Sequence, residues 1–499
     1  MKYNFFYDET EHSRKINLKT VTAENYYDNF VAVIVGWDAE KESALSERYK
    51  AFETKYEYRK SKNELKSTTL KQEQFCNGFA SLNKSNIEFL TDFFSLFSED
   101  IFIYFAVFSK IEYVISQIFD EYKNSAFCNM DALKYSIVKA ILLYRPQEVI
   151  ECAFNSPEKL VDSLATFFKE RIEKNQENPT LKSSETQAFE EALIILSDAQ
   201  APKDINWNYD IAFIGFQKYL AEKDISDYSL IIDKEGEETK ESNTLSAAKH
   251  IGLINCSEMN SKKSAGVRMA DMLAGVISKL LKALTTALRY ESGKDALTKH
   301  ILPKEWFVLN ADQLALYKKL NLIICELNDA WYKSFAGRYS DNLIVFISLL
   351  KFMDQFPSTK TIKNVEMQGE YFNSYCCEQL SSYFGRLRNN ISVEVIPDND
   401  SDFFYNQRGA KIYYDISKQP WIEFKDGSCR HFVLSVGFDK NKIPLITVQK
   451  EKNIECLRIP TELSDWACTV VGMANLGMNL FPSEVLFGIK DGKYYADIL

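Results

Sequence analysis

Several signatures that would point to a functional class are scarce or missing in this chain. It has four histidines and ten cysteines, with no CxxC pair and no Cys/His cluster at zinc-ligand spacing, so a structural zinc site is not predicted. The adjacent Cys376 and Cys377 stand apart from the others, and free thiols in a reducing cytoplasm are the simplest account. There is no glycine-rich phosphate loop, nucleophile elbow or Cys-His dyad. Eleven prolines and eighteen glycines are too few for long disordered linkers. Long apolar runs are missing too: Gly266 to Leu284 is interrupted by Arg268, Asp271 and Lys279, against the roughly 20 apolar residues a membrane span needs. Met1 to Phe6 lacks the features of a signal peptide and reads as an opening strand, which predicts a cytoplasmic protein with no membrane partner.

What is present is a globular composition. At 499 residues, 46% hydrophobic and 26% charged, the chain exceeds what one core usually organises, so two or three domains are expected. A net charge of −10 argues against coating nucleic acid by bulk attraction. It leaves room for a local basic groove and for acids gathered in a metal site.

The periodicity divides the chain in three. Lys2 to Tyr7, Phe30 to Trp37 and Ile101 to Phe108 have strand character, with helical stretches at Ala39 to Ala80 and Asn86 to Phe97. A helical insertion over about 112–227 is predicted, with a surface loop at Glu173 to Glu185. Strands follow at Tyr228 to Ile232 and near Ile251 to Asn255, then an apolar helix from Gly266. This makes residues 1–290 an α/β domain. Residues 291–360 read as a helical connector. Residues 361–499 read as an α+β, mainly β, C-terminal domain with strands such as Val393 to Ile396, Phe432 to Phe438 and Leu445 to Gln449, and one helix from Leu463 to Leu480.

Three acids occupy positions where solubility does not require them. Asp8 directly follows Asn4-Phe5-Phe6-Tyr7, Asp233 follows Ser229-Leu230-Ile231-Ile232, and Asp271 lies inside the apolar helix. Strand-end acids of an α/β sheet lie at its carboxyl edge, where such folds build their sites. Converging carboxylates repel one another unless a cation joins them, and Mg2+ (or Mn2+) suits hard oxygen ligands. The competing readings are structural: a strand-end acid also serves as a turn residue or helix cap, and Arg268, one turn before Asp271, offers an ion pair. His12 is either an acid, base or ligand beside Asp8 or an isolated surface histidine. His250 and His300 have no evident partner, and His431 lies at a predicted strand start.

These residues carry a resemblance. Tyr7-Asp8-Glu9-Thr10 resembles the Tyr-x-Asp-Glu-Ser-Gly opening of the bacterial "domain of unknown function 3800" family, with Thr10 and Glu11 standing where the family has Ser and Gly. Leu230-Ile231-Ile232-Asp233 is similar to the family's strand ending in Asp. Gly266-Val267-Arg268-Met269-Ala270-Asp271-Met272-Leu273-Ala274-Gly275 is similar to its Leu-Gln-x-Ala-Asp-x-x-Ala-Gly helix. The resemblance covers about residues 1–290 and implies a ribonuclease H-like fold with metal-dependent nuclease activity. It also implies that Asp8, Asp233 and Asp271 are metal ligands, with Glu9 or Glu235 as additional ones. Glu64-Leu65-Lys66-Ser67 resembles a weaker family segment, which implies that Glu64 reaches the metals and Lys66 a phosphate; a solvated helical face is the alternative.

Two functions are therefore expected. The first is a metal-dependent phosphodiesterase acting on DNA or RNA, its C-terminal domain choosing substrate or a protein partner; family habit adds a role in defence against foreign nucleic acid. The second is a non-catalytic interaction or sensor protein that keeps the fold.

Overall fold

The structure is a computed structural model and describes residues 2–10, 27–119, 130–197, 199–201, 205, 210–234, 241–289, 300–390, 403–405, 411–413, 419–424, 427–438, 443–450, 453–475, 480–490 and 492–499. Two compact units account for the chain: Met1–Glu121 with Asp131–Ser381, and a second that includes Ser382–Leu499.

The first unit is built on a mixed six-stranded sheet. Its strands are β1 (Tyr3–Thr10), β2 (Asn29–Asp38), β4 (Phe102–Ser109), β5 (Tyr228–Asp233), β6 (Cys256–Met259) and β7 (Ser334–Ala336), with a short separate strand β3 (Cys76–Phe79). Spatial order is β6-β5-β1-β2-β4-β7. β1, β2 and β4 form an antiparallel meander, while β5 runs parallel to β1 and β6 parallel to β5. β2 is apolar almost throughout because both its faces are covered.

Strand alternation divides the sheet's side chains between two cores. Phe6, Val31, Val33, Val35, Phe105 and Val107 face the long helix Ala265–Ala287. Phe5, Tyr7, Ala32, Ile34, Tyr104, Leu230 and Ile232 face the helices Ile211–Glu222 and Asn243–His250. The long helix lies close to β1 because Gly266 has no side chain: a Cβ there would meet the Phe6 ring at 2.3 Å.

The insertion between β4 and β5 is helical, as expected, but its polar stretch is not a loop. Leu160–Asn175 and Pro179–Leu196 are helices separated only by a short turn, with Pro179 in the first turn, where its missing N–H is tolerated. Residues 300–381 are not a connector either. Trp306, Tyr317, Phe346, Leu349, Phe352 and Phe372 belong to the same core as the long helix, and Ser334–Ala336 adds a parallel edge strand beside β4. The first unit therefore extends past 290 and 360, ending within the helix Gln368–Asn390.

The second unit carries an antiparallel five-stranded sheet of β10 (Ser428–Phe438), β11 (Pro444–Lys450), β12 (Asn453–Arg458), β13 (Ser483–Lys490) and β14 (Lys493–Ile498), in the order β12-β11-β10-β13-β14. A bulge between Val433 and Ser435 sets Val433 and Val436 against the core made by Ile446, Val485, Phe487 and Val470 of the helix Ser464–Asn475. That helix is shorter than the expected Leu463 to Leu480. β8 (Phe403–Tyr405) and β9 (Lys411–Tyr413) form a separate two-stranded sheet. The expected strand at 393–396 lies outside the described residues. No helix among the described residues is long and apolar enough to cross a membrane.

A candidate carboxylate site at the sheet edge

Asp8 and Asp233 are brought together by strand register. β1 and β5 run parallel with Phe6 opposite Ile231 and Tyr7 opposite Ile232, so one further step sets Asp8 beside Asp233. Both follow the parity of Phe6 and Ile231, which pack on the long-helix core, and so share that face at the carboxyl edge. Asp271 comes to the same face from the helix, six residues after Ala265 opens it.

The three charges act on one another. Asp8 is held well above the usual carboxylate range, first by burial, then by the charges of Asp271 and Asp233; the Glu9 N–H, 2.7 Å from Oδ1, opposes this only in part. Asp233 is raised by burial too, with the Ser261 N–H (3.0 Å to Oδ1) and Lys66 pulling it down while Glu64 and Asp271 push it up. Asp271 is raised by burial and held down by Ser67, whose N–H and hydroxyl donate to its two oxygens at 2.9 and 2.7 Å, and by Lys66 and Lys279.

The Glu64–Ser67 segment closes the cluster. Ser61 and Glu64 exchange backbone hydrogen bonds of 2.8 and 3.1 Å across a turn in which Lys62 and Asn63 take left-handed φ angles of 52° and 64°. Glu64 is thereby buried, and the Lys66 ammonium lies 3.4 Å from its carboxylate while remaining half-exposed. Burial would lower the Lys66 pKa, yet Glu64, Asp271 and Asp233 together raise it. Lys66 thus feels the charges of Glu64, Asp271 and Asp233 at once. It lies in extended backbone just before the short 3-10 segment Ser67–Thr69 rather than on a solvated helical face.

Other expected residues fall elsewhere. Glu9 pairs with Ala32 in register, which puts it on the opposite face from Asp8, where it accepts the Tyr7 hydroxyl. Glu235 and His12 lie outside the described residues. Arg268 does not pair with Asp271: its guanidinium is bound to Glu53. His250 faces Asp210 at 3.6 Å. Among the described residues, no group of three or more His, Cys, Asp or Glu side chains stands as a ready metal shell. A cavity at the opposite edge, near Lys2, Asp227 and Tyr228, is remote from these acids along the strands.

Sequence reasoning missed Ser67, Ser261 and Glu53. Ser67 was within the quoted Glu64–Ser67 phrase, and its position just after Lys66 was the available signal. Ser261 and Glu53 had none. No family model matches the sequence, and neither a curated protein nor a solved structure matches it.

Proposed function

We propose that the first unit is a ribonuclease H-like, divalent-metal-dependent phosphodiesterase acting on nucleic acid. The observation that carries this reading is the β1/β5 register, which sets Asp233, the last residue of its strand, beside Asp8, two residues before the end of β1, on the face that receives Asp271. The sheet supports it in coarser terms: a three-stranded antiparallel meander is followed by two strands parallel to the first, a mixed α/β sheet whose parallel pair carries Asp8 and Asp233.

The donor set fits a hard cation. All three carboxylates are raised by burial, Asp8 also by the charges of Asp271 and Asp233, and hard divalent ions take such oxygens. Asp8, Asp233 and Asp271 would hold Mg2+ or Mn2+, with Glu64 adjacent; a bound ion supplies Lewis-acid activation of water and of the leaving oxygen. The remaining roles belong to the chain. Ser67 and Ser261 orient Asp271 and Asp233 through backbone N–H groups, and Lys66, half-exposed, offers its ammonium to a phosphate. The second unit would select substrate or a protein partner.

A specific observation favours the rival reading of a non-catalytic protein: every one of the three aspartates already accepts at least one backbone N–H, as structural acids do. Cleavage of single- and double-stranded DNA and RNA, with Mg2+, Mn2+ or chelator, decides between them. Metal-dependent cleavage that disappears in Asp8→Asn is expected, with the variant as stable as wild type or more so in chelator, since one of three repelling charges is gone. No cleavage by the wild type, or an Asp8→Asn variant that loses its fold in chelator, sinks the nuclease assignment and leaves Asp8 a structural hydrogen-bond acceptor.

A further inference from the structure

Arg268 precedes Asp271 by one turn of the long helix, and its side chain is buried, 9% exposed. Nε and Nη2 each donate to Glu53 at 2.7 Å, a two-pronged pair. Nη1 donates to the carbonyls of Ser261 (2.7 Å), Lys262 (3.2 Å) and Ser264 (3.1 Å). The guanidinium also lies over the Tyr49 ring. Ser261 therefore faces two ways: its carbonyl is held by Arg268 while its N–H is 3.0 Å from Asp233.

Stability alone is a weak account of this arrangement, because a buried ion pair often contributes no more than apolar residues of the same size. What a planar fork with three further carbonyl bonds supplies is geometry. The turn Ser261–Lys263 joins the segment after β6 to the long helix, so clamping it fixes Asp233 relative to Asp271. Neither a helix cap nor the strand register does this, since the register sets Asp233 against Asp8 but not against Asp271.

We propose that Arg268, anchored by Glu53, is a positioning residue that aims Asp233 through Ser261 and sets its spacing from Asp271. The proposal rests on the divalent-metal reading above. The test uses the full chain with Arg268→Lys, which keeps the charge and loses the fork. Two readouts are taken: amide hydrogen exchange at Ser261–Lys263, with Ser67 as internal control, and Mn2+ affinity from the electron paramagnetic resonance signal of free Mn2+. Arg268→Lys is expected to lose protection at Ser261 while Ser67 keeps it, and to bind Mn2+ about 10–100-fold more weakly, the usual effect of removing a residue that orients a ligand. Unchanged protection at Ser261, or Mn2+ affinity equal to wild type, overturns the proposal. Absence of Mn2+ binding by the wild type refutes the metal reading instead, and the exchange readout then decides the clamp by itself. Should Arg268→Lys not fold, Glu53→Gln keeps the three carbonyl bonds and loosens only the fork; the same losses are expected, nearer 10-fold, and their absence again overturns the idea.

Discussion

Gly275 offers the sharpest test of how the carboxylate cluster is held. It lies one turn after Asp271, and a Cβ there would fall 2.2 Å from Ser67 Cβ and 2.6 Å from Ser67 Oγ. Ordinary contact begins near 3.4 Å, so in Gly275→Ala the serine must retreat by more than an ångström. It cannot do so by rotating a flexible tip, since the closest atom is Cβ and its own N–H is bound to Asp271. Both bonds to Asp271, now 2.9 and 2.7 Å, would then pass out of hydrogen-bond range. Alanine gains about 1 kcal/mol of helix propensity over glycine. Overpacking costs about 1–3 kcal/mol, and loss of hydrogen bonds to a charged acceptor about 1.5–3 kcal/mol. The balance is a destabilisation of roughly 1.5–5 kcal/mol by urea unfolding in chelator. On the proposed nuclease reading, cleavage should fall about 100-fold, the effect of an ångström-scale displacement near the reacting groups. Ser67→Gly in the same chain removes the clashing Cβ and should restore stability without restoring cleavage. A Gly275→Ala protein about 1 kcal/mol more stable than wild type, with the Ser67 amide still protected from exchange, would refute the reasoning.

Two further expectations concern the rest of the first unit. Burial raises the Glu112 carboxyl from 4.5 to about 6, against the N–H groups of Arg338 and Tyr339 that favour its charged form. Because the folded state holds this proton more tightly, its stabilising share is complete below the ordinary pKa and is lost as pH rises through about 6, a change of about 2 kcal/mol. Glu112→Gln should remove that slope from a plot of stability against pH, and parallel curves would show that Glu112 is not its source. For the domain boundary, Phe352 packs against the rings of Tyr371, Phe372 and Tyr375 at centroid distances of 5.2, 5.3 and 5.6 Å. A chain ending at Ser381 should stay folded. One ending at Phe356 forfeits these contacts, a loss on the order of 3–5 kcal/mol, and equal unfolding midpoints for the two would place the boundary back near 360.

The two levels of the site differ in how well the sequence discloses them. Asp8 and Asp233 were legible because each follows an apolar run, although β1 itself continues to Thr10, and Asp271 because a carboxylate inside an apolar helix breaks the local pattern. Their meeting on one face depends on parallel pairing across more than 200 residues, which no local pattern encodes; only the general rule that strand-end acids gather at a carboxyl edge anticipated it. Glu9 shows the limit of that rule, since adjacency to Asp8 in sequence is what puts it on the other face. The boundary failed for a related reason. Ala311 to Phe356 has the spacing of helices in any setting, and periodicity says that a face is buried without saying against what.

The residues that hold the acids in place were illegible for a different cause. Arg268 and Asp271 stand at a spacing that helices use for ion pairs, yet the guanidinium takes Glu53, 215 positions away in sequence, and three turn carbonyls. A side chain's nearest opposite charge in sequence competes with whatever tertiary packing brings closer, and a buried guanidinium with five N–H groups is satisfied best where several acceptors converge. Asp271 in turn is left to Ser67, a residue whose type is ordinary in any turn. The three acids stand out by violating local rules, whereas the residues that orient them obey those rules and acquire their role only from the fold. A search of related sequences for positions that vary with Asp8 and Asp271 would therefore be expected to return Ser67, Gly275, Arg268 and Glu53 before Glu9, and a set that kept Glu9 while letting Ser67 and Gly275 drift would contradict the site as built here.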